Sequence, residues 1–253
     1  MSQLSVNAAS LIFSFSLVLV ALAIAYKERL GLEKDIIYSV IRAVIQLIIV
    51  GFLLKYIFNA NQMILTLSCV LIIYFNAAWN AAGRMKNLPG ALLLSFLAIF
   101  SSTTLTLCLL LTTGSLRFIP SQVIPITGMI ASNSMIAIGL SYRHLSASFR
   151  DQRQQILEKL ALGATIRQAS HLIIRASIKT GMSPTIDSAK TVGIVSLPGM
   201  MSGLIFAGVD PVRAIGYQIM VTFMLLSATS IASMIACYFA YNKFFTKQKQ
   251  LRE

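Results

Sequence analysis

The chain has 253 residues, with 21 Lys and Arg against 8 Asp and Glu, a formal net charge of +13. With 57% hydrophobic and only 11% charged residues, it is far too apolar for a soluble domain of this length and belongs in a bilayer. Its basic residues flank apolar windows and form no stripe with interleaved aromatics, which argues against nucleic acid as a partner and for membrane lipid.

A hydrocarbon core about 30 Å thick needs roughly 20 mostly apolar helical residues to cross it. Seven windows reach that length: Ala8 to Tyr26, Ile37 to Phe58, Gln62 to Ala82, Ala91 to Thr113, Ile119 to Ser141, Pro184 to Ala207 and Pro211 to Tyr241. The expected fold is an all-α polytopic membrane protein, with one transmembrane domain over residues 1–253. Six spans is the alternative, because Pro120, Pro125, Thr127, Gly128, Ser132, Asn133 and Ser134 dilute the fifth window, which could be broken or re-entrant. In the first window Ala23-Ile24-Ala25 resembles a signal cleavage site, but no basic residue precedes it, so a retained span is expected.

Basic residues alternate from connection to connection. Lys27, Arg29 and Lys34 follow the first window, Arg84 and Lys86 the third, and Lys243, Lys247, Lys249 and Arg252 the seventh. Arg143, Arg150, Arg153, Lys159, Arg167, Arg175 and Lys179 follow the fifth, whereas the opposite side has Lys55, Arg117 and Arg213. The positive-inside rule then places the N-terminus outside, the C-terminus inside and residues 142–183 in the cytoplasm.

That cytoplasmic segment is expected to be helical on both sides of a turn. Ala147 to Leu162 carry good helix formers, and Gly163 supplies the left-handed geometry that closes a helix. Thr165 with Gln168 forms a capping box for a second helix, whose expected apolar face is Ile166, Ala169, Leu172, Ile173 and Ala176 and whose expected end is Ser183-Pro184. The turn sequence EKLALGAT, Glu158 to Thr165, has the form of a docking element for a soluble subunit, the competing reading being a solvated connector. His144 and His171 lie in this segment without companions at ligand spacing, and are expected to be ordinary loop histidines. Cys69, Cys108 and Cys237 sit singly in separate windows, so no disulfide is expected.

The sixth window contains Gly193, Pro198, Gly199, Gly203 and Gly208. Pro198 would strand the carbonyl of Ile194 and bend a helix there, so Pro198, Gly199, Met200, Met201 and Gly203 become candidates for a translocation path. Gly199 and Gly203 also fit simple close packing of helices. Asn76, Asn80 and Asn133 join the candidate path as polar residues within spans; interhelical hydrogen bonding is their alternative role. Arg42 is placed to snorkel to the interface, and Asp187 and Lys190 to pair with each other. No metal-ligand cluster is apparent in the spans, and the methionines there suit packing as well as soft contacts to a metal.

Glu158, Ala161 and Gly163 in EKLALGAT resemble the coupling loop of ABC-transporter permeases, although Lys159 and Leu160 stand where importers have alanines. LEKDI near Glu33, FNAAWNA from Phe75, FIPSQVIPITGMIASNSM from Phe118 and DSAKTVGIVSLPGMMSGLIFAG from Asp187 extend the likeness over nearly the whole chain. Together they resemble the FetB family, the permease subunits of bacterial iron-exporting ABC transporters. The resemblance implies a multi-pass protein of the bacterial inner membrane, worked by a separate FetA-like ATPase and exporting iron in defence against peroxide stress. It makes Glu158, Ala161, Gly163 and Thr165 the ATPase-coupling residues. Plant aluminium-tolerance proteins of the same broad family have a different proposed cargo.

No GxxxxGK[ST] loop occurs in the sequence, so ATP is expected on the partner subunit, with no cofactor and no enzymatic activity in this chain. A two-fold ATPase pair implies a permease homodimer. Two other classes stay open: a carrier driven by an ion gradient, which would want acids inside the spans, and an ATPase-driven signal transmitter, which would want a large outer domain.

Overall fold

The computed structural model describes residues 13–60, 62–85, 90–246 and 250–251. Their regular structure is helical: α1 (Ser16–Lys27), α2 (Glu33–Ala60), α3 (Met63–Ala82), α4 (Ala91–Thr112), α5 (Pro120–Asp151), α6 (Arg153–Ala161), α7 (Ile166–Thr191), α8 (Gly199–Phe206) and α9 (Pro211–Ala240), followed by a 3-10 turn, Tyr241–Phe244. No β-strand forms among the described residues, only isolated bridges.

The chain divides into two compact units, residues 1–60 and 61–253. In the first, α1 packs on α2. Glu33 and Asp35 in the first turn of α2 suit the positive end of its dipole. The rest of α2 exposes Ile41, Val44, Leu47, Ile48 and Phe52, as a lipid-facing helix would.

In the second unit α5 packs on α3, α4, α7 and α9, and α9 packs on α4, α5, α7 and α8. Small residues permit this density. Ala228, Ala232, Ala236 and Ala240 repeat every fourth position of α9 and are wholly buried, and α3 buries Ala77, Ala78 and Ala81. In α4 the buried positions Leu94, Ser95, Ala98, Ile99, Ser102 and Thr103 recur at helical spacing and define one inward face. At the far end of α5, Phe149 stacks on Phe244 at 4.4 Å and meets Phe245 edge-on, fixing the chain beyond α9 to the bundle.

Among the described residues five helices are long and apolar enough to cross a membrane: α2, α3, α4, α5 and α9 with its 3-10 extension. The first window is represented by α1, of 12 residues; its expected start, Ala8 to Leu11 and Ile12, lies outside the described residues, as do Lys86, Lys247, Lys249 and Arg252.

One alternative is set aside and three expectations are corrected. The diluted fifth window is one unbroken 32-residue helix, because Ser134 and Ser141 turn inward to neighbouring helices and Pro125 lies near its start. That helix runs ten residues past the expected end, so Ala147 to Leu162 is not a single helix: Gln152, at φ −102° and ψ 22°, separates α5 from α6. The helix after Gly163 continues through Pro184 to Thr191, held by α5 and α9 on either side although Pro184 cannot donate to the carbonyl of Thr180. Consequently the sixth window is a helix end, a loop and a short helix. Gly193 at φ +85° donates its N–H to the Ser196 carbonyl at 2.9 Å, and Pro198 is the N-cap of α8 instead of a kink within a span.

Candidate functional site

The turn between α6 and α7 is closed by backbone geometry on both sides. Gly163 adopts φ +89°, its N–H donates to Leu160 O at 3.0 Å, and the Ala164 N–H donates to Lys159 O at 3.0 Å. These two bonds make a Schellman C-cap, for which glycine is the residue without a Cβ penalty. Two residues on, Thr165 receives the Gln168 N–H on Oγ1 at 3.3 Å and gives its own N–H to Gln168 Oε1 at 2.8 Å, completing the expected capping box.

Only one side of α6 is held. Ile156 is buried in the core, while Glu158, Ala161, Gly163 and Thr165 are exposed around the tip. Gln154 donates to Glu158 Oε1 at 3.1 Å and leaves the rest of that carboxylate open. Leu162, at the apex, is 89% exposed, an apolar side chain with nothing of this chain over it. At the start of α7, Arg167 lies 6.0 Å from the centre of the Tyr238 ring and ties the turn to the end of α9.

From this tip α7 runs 26 residues, roughly 39 Å at helical rise. Its buried face is Ala169, Ser170, Ile173, Ile174, Ser177 and Gly181. Leu172 and Ala176 are exposed, so the expected apolar face is rotated toward the small residues. The packing is tight at Gly181. A Cβ there would overlap Ser141 Oγ and stand 2.7 Å from the Ala137 carbonyl oxygen and 2.8 Å from Ser233 Oγ. Helices α5, α7 and α9 therefore crowd together at this glycine. His144 is on α5 and half-buried, not in a loop; its Nδ1 lies 3.0 Å from Ser177 Oγ of α7 and 3.3 Å from Ser148 Oγ.

Beside Gly181 a recess of about 120 Å³ opens among Asn133 and Ile136 of α5, Pro184, Thr185 and Ser188 of α7 and Leu225 of α9. Asn133 Nδ2 donates to Met129 O at 2.8 Å, so its side-chain oxygen is available to the recess. Thr185 and Ser188 were not legible as site residues, because the sequence does not show which helices pack against the residues after Pro184.

The remaining path candidates are dispersed. Asn76 and Asn80 are on α3, where Asn80 Nδ2 donates to Asn76 O at 2.8 Å and to Asn76 Oδ1 at 3.0 Å. Pro198, Gly199, Met200, Met201 and Gly203 belong to the start of α8, with Met201 buried and Met200 half-buried. A Cβ on Gly199 or Gly203 would meet no atom of this chain within 4 Å, so neither provides close packing inside it. Asp187 and Lys190 pair at 3.2 Å on the exposed side of α7. The cysteines are unpaired among the described residues: Cys69 half-buried, Cys108 exposed, Cys237 buried.

A second pattern lies in the helix contacts themselves. The hydroxyl oxygens of Thr103 on α4, Thr127 and Ser134 on α5, Ser170 on α7 and Ser233 on α9, with Gln218 Oε1 on α9, are buried without a hydrogen-bond partner among the described residues. Each such group is unfavourable by about 1–3 kcal/mol, which marks the α5–α7–α9 contact as polar and poorly satisfied in this conformation. No three His, Cys, Asp or Glu side chains converge among the described residues.

Residues 8–245 match the model of the Uncharacterised protein family (UPF0014). The chain is 57% identical over 251 residues to the "Probable iron export permease protein FetB" of Escherichia coli (strain K12), covering 99% of this chain and 97% of that protein. It is 36% identical over 238 residues to the "UPF0014 membrane protein STAR2" of Oryza sativa subsp. japonica, covering 94% and 84%. Against the "Protein ALUMINUM SENSITIVE 3" of Arabidopsis thaliana it is also 36% identical, over 235 residues, covering 93% and 86%. No solved structure matches the chain.

Proposed function

This chain belongs to the UPF0014 family of membrane proteins, and on that premise we propose that it is the permease subunit of an ATP-driven ABC exporter of iron. It works as a homodimer in the bacterial inner membrane with a separate FetA-like ATPase, which binds the ATP, and contributes to resistance to oxidative stress. The whole of residues 1–253 acts as one transmembrane domain in that assembly. The 57% identity to a protein named a probable iron export permease supports the cargo. A second reading, export of another metal, is favoured by the aluminium in the name of the Arabidopsis relative.

The observation that carries the ATPase assignment is the tip after α6, where a turn closed by its own hydrogen bonds presents Leu162 and Glu158 outward. A turn locked at both ends keeps its shape when pushed, and a bare leucine beside a carboxylate suits a groove of mixed character on a partner. ATP-driven closure of two such partners would displace the tip, and α7 would transmit the movement along its length. Thr185 and Ser188 would then shift against Asn133, opening the recess to water and cargo. An export site need only hold its cargo weakly, so a few neutral oxygens suffice where an importer would use charged ligands.

Co-purification tests the docking. The ATPase is expected to accompany the wild-type permease and to be lost from Glu158→Lys and Leu162→Asp, with the helical content unchanged. Retention of the ATPase by both variants would remove the assignment.

A further inference from the structure

Arg84, just past the end of α3, lies across the face of α5 at Gly139. A Cβ on Gly139 would collide with Arg84 Cδ and stand 2.6 Å from Nη1 and 3.0 Å from Nε, so the absence of a side chain there gives the guanidinium its seat. Arg143 follows one turn later on α5. Desolvation of the part of Arg84 lying on the helix, and then the like charge of Arg143, hold the Arg84 pKa below the usual arginine value. Both residues stay exposed overall. The ion pairs among the described residues, Arg150 with Asp151 and Lys190 with Asp187, leave both arginines without a carboxylate.

Two like charges near enough for one to lower the other's pKa, with no carboxylate paired to either, favour an anion from elsewhere. Their depth indicates which. Arg84 and Gly139 each lie about 20 residues beyond the start of their helices, roughly 30 Å along and so one hydrocarbon thickness away. Trp79, 63% exposed on α3 a little over one turn earlier, is the residue type that settles at the membrane–water boundary. Lipid phosphates lie at this level, and an arginine fork binds them through paired hydrogen bonds.

We propose that Arg84 and Arg143, positioned by Gly139, bind the phosphate of an anionic phospholipid headgroup at this end of the bundle. The site is distinct from the tip and the recess, and independent of what is exported. Basic recesses between membrane helices are suited to such headgroups.

The test uses the full-length permease reconstituted in phosphatidylcholine vesicles with or without phosphatidylglycerol, then re-extracted in mild detergent. Bound phosphatidylglycerol is counted by native mass spectrometry, and thermal stability is read in parallel, with inorganic phosphate as a separate arm. Wild-type protein is expected to retain and be stabilised by phosphatidylglycerol. Each Arg→Gln change at 84 or 143 should lower its apparent affinity about fivefold, equivalent to about 1 kcal/mol. Gly139→Ala, which keeps both charges but unseats Arg84, should also lower retention, and the double lysine variant, the folded control, should fall between wild type and the double glutamine variant. Undiminished retention by R84Q/R143Q would overturn the proposal. So would stabilisation by inorganic phosphate equal to that by the lipid, which would indicate a free anion. Loss of the ATPase with unchanged lipid retention would overturn it as well, because the arginines would then face a protein partner.

Discussion

At the scale of single residues, the glycines separate into those that set backbone conformation and those that make room. Gly163 at φ +89° has no atom near its missing Cβ, so its role is conformational. Gly163→Ala should strain the turn by about 1 kcal/mol, and Thr165→Ala should weaken the start of α7 by about 1 kcal/mol through loss of the cap. Both should loosen ATPase association more than they lower the melting temperature of the permease, measured by co-purification beside differential scanning fluorimetry. Gly181 is the opposite case, with ordinary helical backbone and three polar atoms where a Cβ would stand. Gly181→Ala should destabilise the bundle by about 1–3 kcal/mol through overpacking, whereas Gly199→Ala should leave its melting temperature near wild type. Equal melting temperatures for the two would contradict the three-helix contact.

At the scale of elements, the central piece is α7, which connects the tip to the recess without interruption. Its beginning was legible because capping chemistry is local: Gly163, Thr165 and Gln168 specify a helix stop and a helix start within six residues. Its end was not, because Pro184 reads as a boundary when only local rules apply, while the contacts that carry the helix past it come from α5 and α9, distant in sequence. The same tertiary effect hid Thr185 and Ser188, and it straightened α5 through its polar stretch. Asn133 was legible as a polar residue within an apolar helix, but its companions across the recess required the packing of α7. If the recess lies on the path, Asn133→Leu should reduce export at least several-fold while ATPase association stays intact, since the substitution replaces a polar wall with an apolar one remote from the tip. Wild-type export by that variant would move the path elsewhere, with the start of α8 the next place to look.

For the whole molecule, composition and charge were enough to place the chain in a membrane, and the family membership agrees with that class. Hydropathy alone read seven windows, and among the described residues five helices have the length and apolarity to cross; the sixth window differs because average hydrophobicity does not distinguish a continuous span from a helix end, a loop and a short helix in succession, and the first begins outside the described residues. The proposed cargo rests on likeness to a named relative, since no side-chain constellation among the described residues specifies iron. The account as a whole therefore rests on movement at the tip being converted into movement of metal across the bilayer. Its most direct test is ATP-dependent iron transport in vesicles reconstituted with the permease and its ATPase, comparing wild type with Glu158→Lys. The account predicts transport that requires ATP and both subunits and that is abolished by the substitution. Iron movement that persists at the wild-type rate in Glu158→Lys, or that proceeds without the ATPase, would contradict it.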